Sequence, residues 1–102
     1  MTSAGKKLSN DIRLNIENNL ASRYKAVYST EDFVCFCYND TVFFKIANLR
    51  WKESGNEVIV AEYADTEFEA RKGLFGEDGD MFYLDEMSES EIVEAIIKEV
   101  EA

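Results

Sequence analysis

The chain is 102 residues long and 46% hydrophobic, enough for one core and too short for two independent domains. It carries 21 acidic against 11 basic residues, a formal net charge of −10, while seven Phe, five Tyr and one Trp argue against intrinsic disorder despite that charge. A field of this sign repels nucleic acid and anionic lipid, which sets aside direct nucleic-acid or membrane binding and favours a basic protein partner.

The charge is unevenly placed. Residues 1–52 hold eight Lys/Arg against five Asp/Glu, a net +3, whereas residues 53–102 hold three against sixteen, a net −13. The opening Met1-Thr2-Ser3-Ala4-Gly5-Lys6-Lys7 is polar and weakly basic, with no apolar stretch behind it to act as a signal peptide or a membrane span, so a cytoplasmic protein is expected.

Leu8, Ile12, Ile16, Leu20 and Tyr24 recur every four residues and predict a helix near 9–22, capped by Ser9 or Asn10. Asp11, Arg13, Glu17, Asn18 and Asn19 would form its solvent side. The β-rich runs 33–38 and 41–47, joined by Asn39-Asp40, predict a hairpin. With a two-residue loop, Tyr38 opposes Thr41, and Phe33, Cys35, Cys37, Val42, Phe44 and Ile46 share the main core face. Val34, Phe36, Tyr38, Phe43 and Lys45 then share the other face, which is apolar enough to need a helical cover or to make a contact.

Past Trp51 and a Ser54-Gly55-Asn56 turn, Glu57–Tyr63 reads as a third strand paired with the second. Asp65-Thr66 and the following acids, bases and Gly73 have the order of a short capped helix. Residues 74–80 read as a loop and 81–84 as a brief extended segment. Ser88-Glu89-Ser90-Glu91 is a capping box opening a helix to about Val100, with Ile92, Val93, Ile96, Ile97 and Val100 on its buried side. The fold class expected is α+β: an N-terminal helix, a three- to four-stranded antiparallel sheet, a short helix and an acidic C-terminal helix.

The absence of histidine removes the commonest general base and most transition-metal sites. Cys35 and Cys37 stand one residue apart in an apolar run, a poor geometry for a mutual disulfide and too few ligands for zinc. They read as reduced, buried side chains without a base to activate them. The scattered glycines form no phosphate cradle, and the acidic loop lacks the spacing of a twelve-residue calcium loop. No cofactor, no metal and no catalysis are expected.

The remaining feature is the acidic C-terminal third, with ten acids and one base, Lys98, from Glu77 to Ala102. Glu77, Asp78, Asp80, Asp85 and Glu86, with the glutamates of helix 88–101, resemble in character the small acidic inhibitors of phages and mobile elements, the anti-CRISPR proteins that block Cas9-type nucleases among them. The resemblance implies a non-enzymatic inhibitor whose carboxylates imitate nucleic-acid phosphates on a basic nuclease surface. The expected contact set is Glu77, Asp78, Asp80, Asp85, Glu86, Glu89, Glu91 and Glu94, with Trp51, Tyr83 or Phe75 as aromatic anchors. An immunity protein or antitoxin against a cognate nuclease toxin fits the same charge, and an oligomerising protein that dimerises through Val34, Phe36 and Phe43 is a further alternative.

Overall fold

The computed structural model describes residues 2–50, 57–76 and 79–102, with side chains described from residue 11 onward, Arg50 apart. Trp51, the Ser54-Gly55-Asn56 turn, Glu77 and Asp78 lie outside the described residues. The elements run α1 (Thr2–Ala21), β1 (Lys25–Ser29), β2 (Val34–Tyr38), β3 (Val42–Arg50), β4 (Glu57–Ala64), α2 (Glu67–Arg71), β5 (Asp80–Tyr83) and α3 (Glu89–Val100). All five strands form one antiparallel sheet in the order β1-β2-β3-β4-β5. The α+β expectation holds, with five strands in place of three or four. Residues 25–29 were not read as a strand, and the extended segment near 81–84 is the fifth.

Helix α1 begins at Thr2, so Ser9 and Asn10 lie inside it and do not cap it. The β2–β3 hairpin forms where expected but turns on three residues. Asn39 and Asp40 adopt positive φ (51° and 58°), Thr41 N–H donates to Tyr38 O at 3.0 Å, and Tyr38 pairs with Val42. That single extra residue moves β3 by one place relative to β2, which exchanges the faces. Phe36, Phe44 and Ile46 are buried together with Val34, Tyr38 and Val42 packed beside them, whereas Cys35, Cys37 and Phe43 lie on the opposite face with Phe33. The expected grouping of the cysteines with Phe44 and Ile46 is therefore overturned.

Both faces are apolar and both are covered. On one, Phe36, Phe44, Ile46, Ile59, Ala61 and Phe82 pack against Ile16, Leu20 and Tyr24 of the α1 region and Ile92, Ile96 and Val100 of α3. On the other, Cys35, Cys37, Phe43 and Ala64 pack under Ala70 of α2, with Tyr28 and Phe75 beside them. Phe36 and Phe43 are thus buried on opposite sides of the sheet, and Val34, Phe36 and Phe43 do not share the one face expected of them.

Arg13 and Glu17 are also buried, 6% and 5% exposed, where a solvent-facing pair was expected. The cause lies in the sheet. The β2–β3 ladder stops at Phe36–Phe44, while β1 remains paired with β2 as far as Val34. Glu17 fills the place where β2 leaves β3: its Oε2 accepts the Val34 N–H at 3.1 Å, and Arg13 Nη1 donates to both carboxylate oxygens at 3.0 Å. Arg13 Nε reaches on to Asn48 Oδ1 of β3 at 2.8 Å. Burial pushes the Glu17 carboxyl above its ordinary value in spite of Arg13 and the Val34 N–H, so ionisation is itself a cost that these bonds offset.

Replacing Glu17 by Ala removes the carboxylate from a buried guanidinium and from a strand N–H at once, and is expected to cost about 3 kcal/mol in urea unfolding. Glu17→Gln keeps an acceptor and costs less. A Glu17→Ala loss below about 0.5 kcal/mol, the range of surface changes, contradicts the clamp.

Candidate functional site

The C-terminal helix is built to hold its side chains in fixed places. Ser88 Oγ accepts the Glu91 N–H at 3.2 Å while Glu91 Oε1 accepts the Ser88 N–H at 2.8 Å, completing the capping box read in the sequence. At the other end, Glu101 receives Arg23 Nε at 2.9 Å, Arg23 Nη2 at 3.0 Å and the Tyr24 hydroxyl at 2.5 Å, which ties α3 to the end of α1. Donors from both residues hold the Glu101 carboxyl below its usual range, the Arg23 bonds contributing most. The backbone and side-chain bonds from Ser88 do the same to Glu91.

These contacts sort the expected acidic site into engaged and open carboxylates. Asp80 is half-buried at the start of β5 and accepts the Tyr63 hydroxyl at 2.8 Å. Burial, followed by that bond to Asp80, pushes the Tyr63 hydroxyl far above its ordinary value. Asp80 is accordingly a structural acceptor, and it stands at the far end of β5 from Asp85 and Glu86, about 10 Å along the strand. Of the acidic cluster read from Glu77 to Glu86, the described members are therefore split, Asp80 from Asp85 and Glu86. Glu91 is occupied by the helix cap. Tyr83 is half-buried and lies on the sheet face opposite Asp80 and Phe82, away from α3.

Asp85, Glu86, Glu89 and Glu94 remain. Asp85 and Glu86 are exposed in the turn closed by Glu86 and Met87 N–H groups on Tyr83 O, both at 3.0 Å. Glu89 and Glu94 flank a shallow depression of about 210 Å³ between α3 and α1, with Asn19, Ser90 and Val93. None of the four carboxylates has a hydrogen-bond or ion-pair partner among the described residues. Three of them cluster at the α3 N-terminus, where the helix dipole favours negative charge.

The cysteines are buried and free, and burial with the neighbouring Cys37 pushes the Cys35 thiol up to about 11. Burial likewise raises Cys37, whose Sγ lies 3.6 Å from Asp40 Oδ1. Among the described residues no three Cys, Asp or Glu side chains stand together to hold a metal ion, and no helix is long and apolar enough to cross a membrane. The sequence reading missed one surface feature, the exposed Phe68 and Leu74 around α2. Its only signal was a five-residue helix whose buried residue is a lone Ala70.

No protein-family model matches this chain, and no curated protein or solved structure matches it either.

The raised thiols lead to a direct expectation. In the native protein at about pH 8 neither cysteine reacts appreciably with a disulfide reagent within minutes, and both react in guanidinium. Rapid native modification of either thiol contradicts the burial described.

Proposed function

We propose that this protein is a non-enzymatic acidic inhibitor that acts in the bacterial cytoplasm. Its target is the basic, nucleic-acid-binding surface of a defence nuclease of the Cas9 type. The observation that supports this reading is the set Asp85, Glu86, Glu89 and Glu94, four carboxylates without a cation among the described residues, two in the turn before α3 and two on α3, which is fixed at both ends.

The physics of the reading is simple. A carboxylate with an internal partner contributes little to a second one, because its charge is already compensated. Open carboxylates on a rigid support raise the encounter rate with a basic channel and pair with its Lys and Arg without first breaking internal bonds. Their fixed spacing also lowers the ordering entropy that a flexible acidic tail loses on binding. Asp80 and Glu91, expected as contacts, have internal duties and leave this set. The resemblance of this acidic surface to that of anti-CRISPR inhibitors is what suggests the target.

The test is a Cas9 cleavage assay with the wild type and with a variant carrying Asp85→Asn, Glu86→Gln, Glu89→Gln and Glu94→Gln. The wild type is expected to inhibit cleavage, and the variant to need at least about tenfold more protein for the same effect while keeping its circular dichroism. Undiminished inhibition by the variant removes the acidic face from the mechanism. No inhibition by the wild type removes the target.

A further inference from the structure

Helix α2 and the turn behind it form a second surface, on the side of the sheet away from α3. Phe68 is 67% exposed and Leu74 59%, the two most exposed large apolar side chains among the described residues. The backbone holds Leu74 in that position. Gly73, at φ 74°, ends the helix in the left-handed conformation, and Leu74 N–H returns to Glu69 O at 2.8 Å. The chain then turns inward at Phe75, which packs on the second core, leaving Leu74 outside it.

Leu74 forms one wall of a depression of about 200 Å³, completed by Tyr63, Ala64, Gly76, Asp65 and Glu69. Its lining is mixed, with Leu74 and Ala64 as apolar walls and Asp65 and Glu69 as the acidic ones. No described cation near α2 pairs with Asp65 or Glu69. Arg71 Nε binds Glu67 at 2.6 Å, Lys45 binds Glu62 at 2.9 Å and lies 4.5 Å from the Phe33 ring centre, and Lys72 lies 5.7 Å from that of Phe68. Asp65 has no hydrogen-bond or ion-pair partner among the described residues, and the Glu69 carboxylate accepts only the Thr66 hydroxyl, at 3.0 Å. The pocket thus offers two carboxylates without a cation beside an apolar wall.

We propose that this pocket receives an arginine side chain, flanked by apolar residues, from a partner protein. Covering the rim desolvates both carboxylates, which is costly unless a cation arrives with the cover. A guanidinium is weakly hydrated and has five donors to divide between two carboxylates, and its methylenes can lie along Leu74 and Ala64. The flanking apolar residues cover Phe68, which is 67% exposed with the Lys72 ammonium 5.7 Å from its ring centre. A second copy of this chain is the wrong occupant on charge, because each copy brings a net −10. The inference rests on the inhibitor reading only for where the arginine comes from: the α3 face steers the basic partner, and the α2 pocket anchors it.

The experiment uses the whole protein, labelled with nitrogen-15, and two short peptides at concentrations up to about 10 mM, since an isolated contact of this size binds weakly. One is acetyl-Leu-Arg-Leu-amide; the other replaces arginine with citrulline, which keeps the shape and removes the charge. The arginine peptide is expected to shift amides confined to residues 63–76. Citrulline in the peptide, Asp65→Asn with Glu69→Gln, or Leu74→Ser in the protein should each weaken binding about fivefold or more, with the remaining spectrum unchanged.

The absence of any shift, equal shifts with citrulline, or shifts centred on residues 85–94 would overturn the proposal. Shifts of 63–76 that change on dilution without peptide would replace it with self-association. The nuclease is absent from this experiment, so a failed cleavage assay leaves the pocket standing, and a failed titration leaves the α3 reading intact.

Discussion

A sheet that is apolar on both faces must be covered on both, and most of this molecule follows from that constraint. The Asn39-Asp40-Thr41 turn sets the register that sends Phe36, Phe44 and Ile46 one way and Cys35, Cys37 and Phe43 the other. Long helices α1 and α3 cover the larger face, and five-residue α2 with Phe75 covers the smaller. The junction needs one further device. Where β2 and β3 part, a strand N–H would be left without a strand partner, and the buried Glu17 carboxylate takes it while Arg13 neutralises the charge.

The same arrangement divides the acidic residues into two kinds. Glu17, Asp80, Glu91 and Glu101 are bound by the protein's own donors and hold the fold together. Asp85, Glu86, Glu89 and Glu94 are not; the first two lie in the turn before α3 and the last two on the helix that the Ser88 cap fixes. A net charge of −10 is therefore only partly available to a partner, and three of these four open carboxylates, Asp85, Glu86 and Glu89, precede or begin α3. The two most exposed large apolar side chains among the described residues, Phe68 and Leu74, lie on the other side of the sheet, so the two proposed contact surfaces are separate.

Local chemistry was legible in the sequence and non-local pairing was not. The Ser88–Glu91 box, the Thr66 cap and the Gly73 terminus stand as read, because each depends on residues within one turn of chain. The hairpin was legible and its register was not, since Thr41 joins the loop and one residue reverses every side chain. Strand β1 went unread because it is a short edge strand whose pairing shifts between Ala26 and Tyr28, which breaks the alternation. Arg13 and Glu17 were assigned to solvent because a charged side of a helix usually faces water, and only the parting of β2 from β3 shows otherwise. In the candidate site, Asp85, Glu86, Glu89 and Glu94 are left without internal partners among the described residues, whereas the duty of Asp80 depends on Tyr63, seventeen residues away.

The central claim is that the protein occupies a surface that nucleic acid also needs. The most direct measurement is fluorescence anisotropy of a labelled guide RNA on Cas9, titrated with the protein at low and moderate salt. The account predicts a saturable loss of RNA binding when the protein is added first, weakened and not abolished by moderate salt. RNA binding that is unchanged while the protein and the nuclease still co-migrate would place the contact elsewhere and contradict the account.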